Sequence, residues 1–240
     1  MMFPLAEPLI LGLFLLLAAA AYWRWPGGAQ ISRAAGWMRG WAAEHPASAI
    51  LWALVLLHGL MLAGLPDALQ DAVLRAHSTN LSEMERYPIS VLITSALWTE
   101  LDDLPYVTLL ALCVWGPVER WLGTPRTVLA FYAGHIGASV ITTIRAARLV
   151  DEGVLRYDFT AIVDVGVSMG SLTLAGLLVY RLTGRRRWTL LVGLIVLVPA
   201  SVVVFGRYTT TGHVLALAIG FALWPLTRGN LPEVRNRLRR

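Results

Sequence analysis

The sequence predicts an all-α, polytopic membrane protein, and three observations carry that prediction. Of 240 residues, 57% are hydrophobic and only 15% charged, with a mean hydropathy of +0.62, well outside the balance of ordinary globular domains. The apolar residues gather into separate runs, several of them long enough to cross a bilayer, joined by short arginine-bearing connections. Inside two of these runs stand polar islands, Asp164-Val165-Gly166-Val167-Ser168-Met169-Gly170 and Thr209-Thr210-Thr211-Gly212-His213. Such groups are costly in a spanning segment and by default mark function.

The first run, 5–23, is apolar apart from Glu7 and has no basic segment before it. Arg24, flanked by Trp23 and Trp25, follows as an interfacial anchor, so it is expected to be a retained spanning helix rather than a cleaved signal. Trp37 and Trp41 in the linker that follows are four residues apart, which suits either a short surface helix or a loop. The second span is 47–65. The connection 66–88 is acidic and too polar to cross, and Ile89 to Trp98 is too short. Further spans are expected at 104–118, which is short enough to tilt or to extend past Glu119, and at 127–144, 161–180, 189–205 and 209–226. Glu119 is expected to pair with Arg120 or Arg126.

Seven spans put the termini on opposite faces, and the arginines orient them. All 20 basic residues are arginine, which suggests a bacterial genome rich in GC. Most of them fall on the side that holds Arg24, Arg120, Arg181 and the tail beginning at Arg228. The positive-inside rule then puts the N-terminus outside and the tail in the cytoplasm of a cell membrane. The same distribution accounts for the net charge of +5 without a nucleic-acid partner. The basic tail is instead expected to meet anionic headgroups. A single cysteine, Cys113, excludes an intrachain disulfide or a CxxC metal site. His58 and His77 suggest no metal constellation, and no cofactor is expected.

With both island-bearing helices starting at the outer face, a rise of about 1.5 Å per residue sets Ser168 roughly 10 Å deep and His213 roughly 6 Å deep. Gly212, Ala216 and Gly220 on one helix, and Gly166 and Gly170 on the other, form small-residue faces that would let the backbones approach. Asp164, one turn before Ser168 on an unbroken helix, would share its face and either tune the serine, meet water, or pair with Arg207. His213 has a plainer reading as an interfacial capping residue, Ser168 as a packing residue, and His135 as a bundle histidine.

Gly116-Pro117-Val118-Glu119 followed by Gly123 and Arg126, then Gly166-Val167-Ser168, then Gly212-His213 with Gly220, stand in an order and spacing that resembles the rhomboid-type proteins. These are intramembrane serine proteases and their inactive relatives. Ser78-Thr79-Asn80-Leu81, Gly134-His135-Ile136-Gly137-Ala138 and Asp164 to Ser168 are similar to a divergent rhomboid-like group frequent in actinobacteria. The resemblance implies a six-helix core over 47–226. Residues 1–46 would add one further transmembrane helix and a cytoplasmic linker, making seven helices in all, and 227–240 would form the basic tail.

The resemblance also implies a Ser-His dyad without a third acid, Ser168 being the nucleophile and His213 the general base. Met169 stands where active members carry a glycine, adding bulk beside the oxyanion site. Leu104 to Trp115 lacks their histidine and asparagine, Thr108 lying nearest the asparagine position. Gly166, Asp164 and His135 are the remaining supporting candidates, His135 as a substitute oxyanion donor. Two functions follow: cleavage of transmembrane segments of single-span proteins near the outer face, or binding of such segments as clients without hydrolysis. A solute transporter fits less well, because no inverted repeat is visible and the polar groups cluster toward one face.

Overall fold

The computed structural model describes residues 28–154, 163–205 and 208–229, and every regular element among them is helical. The first expected span, the tail beyond residue 229 and Arg207 lie outside the described residues. The linker with Trp37 and Trp41 forms α1 (Gly28–Glu44), leading into α2 (Pro46–Ala63). Proline is well suited to the first turn of α2, where its missing N–H has no helical partner to lose.

Glu119 satisfies the next donors of that turn. Its carboxylate accepts from Ala47 N at 2.9 Å and Ser48 N at 2.8 Å, and from the hydroxyls of Ser48 and Thr124 at 2.7 Å each. A carboxylate here complements the positive end of the helix dipole, which explains how a charge that is only 3% exposed is tolerated. The expected pairing with an arginine is therefore corrected. Arg120 meets Glu44 at 3.2 Å on the surface, and Arg126 donates to Leu226 O.

The acidic connection folds into α3 (Asp67–Ala76) and α4 (Leu81–Arg86), α4 being capped by the Asn80 side chain, which accepts from Glu83 N at 2.9 Å. Pro88 then opens α5 (Pro88–Thr94), which tightens into a 3₁₀ turn at Ser95–Leu97. This apolar piece is too short to cross, as expected. The next span extends past Glu119, one of the outcomes expected for it. It runs as one helical path, Leu101–Leu122, through α6 (Leu104–Leu110), a π turn at Ala111–Trp115 and α7 (Gly116–Leu122). Gly123, at φ +84°, reverses the chain into α8 (Thr124–Asp151), a backbone angle that favours glycine.

The second half holds α9 (Ser168–Arg181), α10 (Gly184–Phe205) and α11 (Tyr208–Ala222), closed by a 3₁₀ turn at Trp224–Thr227. Three described helical segments, Pro46–Ala63, Leu101–Leu122 and Thr124–Asp151, are long and apolar enough to cross a membrane. The helix expected from residue 161 begins only at Ser168. Residues 163–167 are not helical, so the depth counted from residue 161 does not apply.

Helix α9 is buried on nearly every side, between α8 and α11 and against Trp115 of the π turn, whose indole N–H donates to Ser171 Oγ at 2.8 Å. The α11 stripe of small residues does admit a close neighbour, but Met169, Thr173 and Gly176 face it rather than Gly166 and Gly170. Thr173 Oγ1 donates to Ala216 O at 2.8 Å, and Gly170 packs on Phe131 of α8. The outward faces are apolar, with Ile50, Leu57, Leu129, Ile141, Val192 and Leu197 all exposed. A surface of this kind is suited to lipid.

Candidate functional site

Ser168 stands at the first turn of α9, where irregular chain becomes helix. Gly166, two residues earlier, has φ +113°, a region that a side chain would strain. The glycine therefore permits the bend that delivers Ser168 to the helix end. His213 lies on α11, beside Gly212, at which α9 and α11 come close. Ser168 Oγ and His213 Nε2 are 2.9 Å apart, both side chains being half-buried. This is hydrogen-bond distance for a nucleophile and its base.

The helix end adds backbone donors. The first hydrogen bond of the α9 ladder runs from Ser171 N to Val167 O at 2.9 Å, so the amides of Ser168, Met169 and Gly170 precede that ladder. Their N–H groups and the helix dipole favour negative charge beside Ser168. The Met169 side chain is 3% exposed. It packs on Gly212 and among Ala138 and Ala216, and its sulfur accepts from Ser139 Oγ at 3.6 Å. The bulk it adds is taken up by the helix interface.

Asp164 is not on a helical face with Ser168. It lies in the non-helical segment before α9, where its carboxylate Oδ2 accepts from Thr79 Oγ1 at 2.9 Å and its carbonyl from Thr79 N at 3.1 Å. The expectation that it shares the serine's face by helical spacing is corrected, because the helix begins four residues later. His135 on α8 is 2% exposed, and its Nε2 lies 2.9 Å from Ser95 Oγ. Thr108 is engaged away from this cluster. It accepts from Trp52 Nε1 at 2.9 Å and donates to Leu104 O at 2.8 Å.

Three participants escaped sequence reasoning. Ser95 carries no motif, yet its carbonyl accepts from Gly166 N at 2.8 Å. Ser78 and Thr79 stand in one of the motifs, but nothing local shows that they meet Asp164, 86 and 85 positions away. Among the described residues no cluster of His, Cys, Asp or Glu is arranged to hold a metal ion.

No curated protein and no solved structure matches the chain. A sequence model of one family, described as rhomboid-like protein, matches residues 41–233, and that stretch contains every residue of the site just described. With the apolar spanning helices, this makes it a membrane protein. The chain belongs to the rhomboid-like protein family.

Proposed function

We propose that this chain is an intramembrane serine protease in which Ser168 and His213 form the catalytic dyad. The observation that carries the reading is the 2.9 Å separation of Ser168 Oγ and His213 Nε2 at a helix N-terminus. A serine hydroxyl is a weak nucleophile until a neighbour accepts its proton. In the reading, Nε2 takes the hydroxyl proton as Oγ bonds to the scissile carbonyl carbon, then returns it to the departing amine nitrogen as the C–N bond breaks. A water molecule, deprotonated by the same nitrogen, then adds to the acyl ester, and the proton goes back to Ser168 Oγ as the ester bond breaks. The N–H groups at the start of α9 are the proposed oxyanion donors, each worth about 3 to 4 kcal/mol in acyl transfer. They supply backbone donors where the chain lacks a second-helix histidine and asparagine.

The substrates proposed are transmembrane segments of single-span proteins, cut near the outer face. The proposed architecture is a six-helix core at 47–226 with one added N-terminal helix, the N-terminus outside and the tail cytoplasmic. The inactive reading, a binder of transmembrane clients, is favoured by one observation: Thr108, nearest the family's asparagine position, is occupied by Trp52 and Leu104. Reconstitution in liposomes with a library of single-span reporters separates the two. The protease reading expects a discrete cleaved product from the wild-type chain and none from Ser168→Ala. Reporter binding without a product, or equal cleavage by both proteins, contradicts it.

A further inference from the structure

The turn that delivers Ser168 is tied to distant chain at two points, and neither tie includes His213. At the first, Thr79 Oγ1 donates to Asp164 Oδ2 at 2.9 Å and lies 3.1 Å from Asp164 O, while Thr79 N donates to the same carbonyl at 3.1 Å. Asp164 N in turn donates to Ser78 Oγ. At the second, Gly166 N donates to Ser95 O at 2.8 Å, and the Ser95 hydroxyl is paired with His135 Nε2.

The anchors are themselves held. Thr143 Oγ1 on α8 donates to Thr79 O at 3.2 Å, and Asn80 both caps α4 and donates through its amide to Arg75 O at 3.0 Å. Ser78, Thr79, Asn80 and Ser95 are all buried. An irregular stretch such as 163–167 has no ladder of its own, and its buried N–H and C=O groups need partners. Those partners come from elements other than α9. The ties therefore set where the turn lies relative to α8 and α11, and hence where Ser168 lies relative to His213.

We infer that Ser78, Thr79 and Ser95 are positioning residues that hold the Asp164–Gly166 segment so that Ser168 Oγ stays within reach of His213 Nε2, His135 acting through Ser95. The inference rests on the reading of Ser168 and His213 as a dyad. Misplacement of a reacting group by about 1 Å can cost on the order of 100-fold in rate, so a polar tie far from the chemistry can control it. The Thr79 hydroxyl is the most separable part, because Thr79→Val removes it while keeping the side-chain shape and the backbone bond to Asp164.

The test uses the full chain in detergent micelles with ¹⁵N-labelled histidine. The imidazole shifts of His213 report whether Nε2 accepts a hydrogen bond, and a fluorophosphonate reports the reactivity of Ser168. The wild type is expected to show the accepted bond. Thr79→Val is expected to lose it and to react roughly 10- to 100-fold more slowly, and Thr79→Ser to recover both. If circular dichroism shows that Thr79→Val fails to fold, Asp164→Asn, which keeps an acceptor, is compared with Asp164→Leu, and only the leucine variant is expected to lose the bond. Unchanged shifts and rate in the folded variant that lacks the tie overturn the inference. So does equal damage in Thr79→Ser and Thr79→Val, which would mark a packing role alone. A wild type that shows the imidazole bond but never reacts defeats the protease reading instead, and the imidazole shifts still decide the positioning.

Discussion

Glu119 shows how a single side chain can join two helices at their first turns. Its four hydrogen bonds reach the first turn of α2 on one side and Thr124, at the start of α8, on the other. Removing it leaves two amides of α2 without their acceptor, and each buried unsatisfied donor costs about 1 to 3 kcal/mol. Glu119→Ala is thus expected to lower the unfolding temperature in detergent clearly, whereas Glu119→Gln, which keeps one acceptor oxygen, loses less. Equal stability of Glu119→Ala and wild type would refute the capping role. The sequence made the carboxylate visible but suggested the wrong partner. Arginines close in sequence drew attention, while the amides it meets are more than 70 residues away.

At the scale of elements, the spans that are long and uniformly apolar could be read directly, as α2 and α8 show. The start of α9 could not. Residues 161–180 carry no proline and read as one apolar helix, and the break at Gly166 depends on a positive φ and on ties to Thr79 and Ser95. Those ties are long-range, so no local pattern contains them. The α11 stripe of Gly212, Ala216 and Gly220 was legible because small residues at a spacing of four have a direct packing meaning. Its partner face was not, because Met169 and Thr173 are not small. At Gly220 an added Cβ falls 2.9 Å from Thr173 Cα, a backbone atom that cannot swing aside. Gly220→Ala is expected to destabilise the fold by about 1 to 3 kcal/mol and to move α11, with His213, away from α9. Thermal unfolding checks the first effect, and the His213 imidazole shifts the second.

Across the whole molecule, the site is assembled from parts that no single stretch of chain provides. Ser168 comes from a helix buried among its neighbours and His213 from the helix that packs closely on it; the turn before α9 is secured by Ser78, Thr79 and Ser95, of which α8 holds Thr79 and Ser95 in turn. The apolar outer faces keep this assembly in lipid, while Ser168 and His213 remain half-buried rather than sealed. Met169 is buried in the α9/α11 interface, and the amides of Ser168, Met169 and Gly170 precede the α9 ladder; the proposed reading takes those amides as its oxyanion donors. Whether Ser168 is activated is decided most directly by treating the purified full chain with a fluorophosphonate and locating the adduct by peptide mass spectrometry. The account predicts an adduct on Ser168 that His213→Ala abolishes in a protein that remains folded; no adduct on the wild type, or one that survives His213→Ala undiminished, would contradict it.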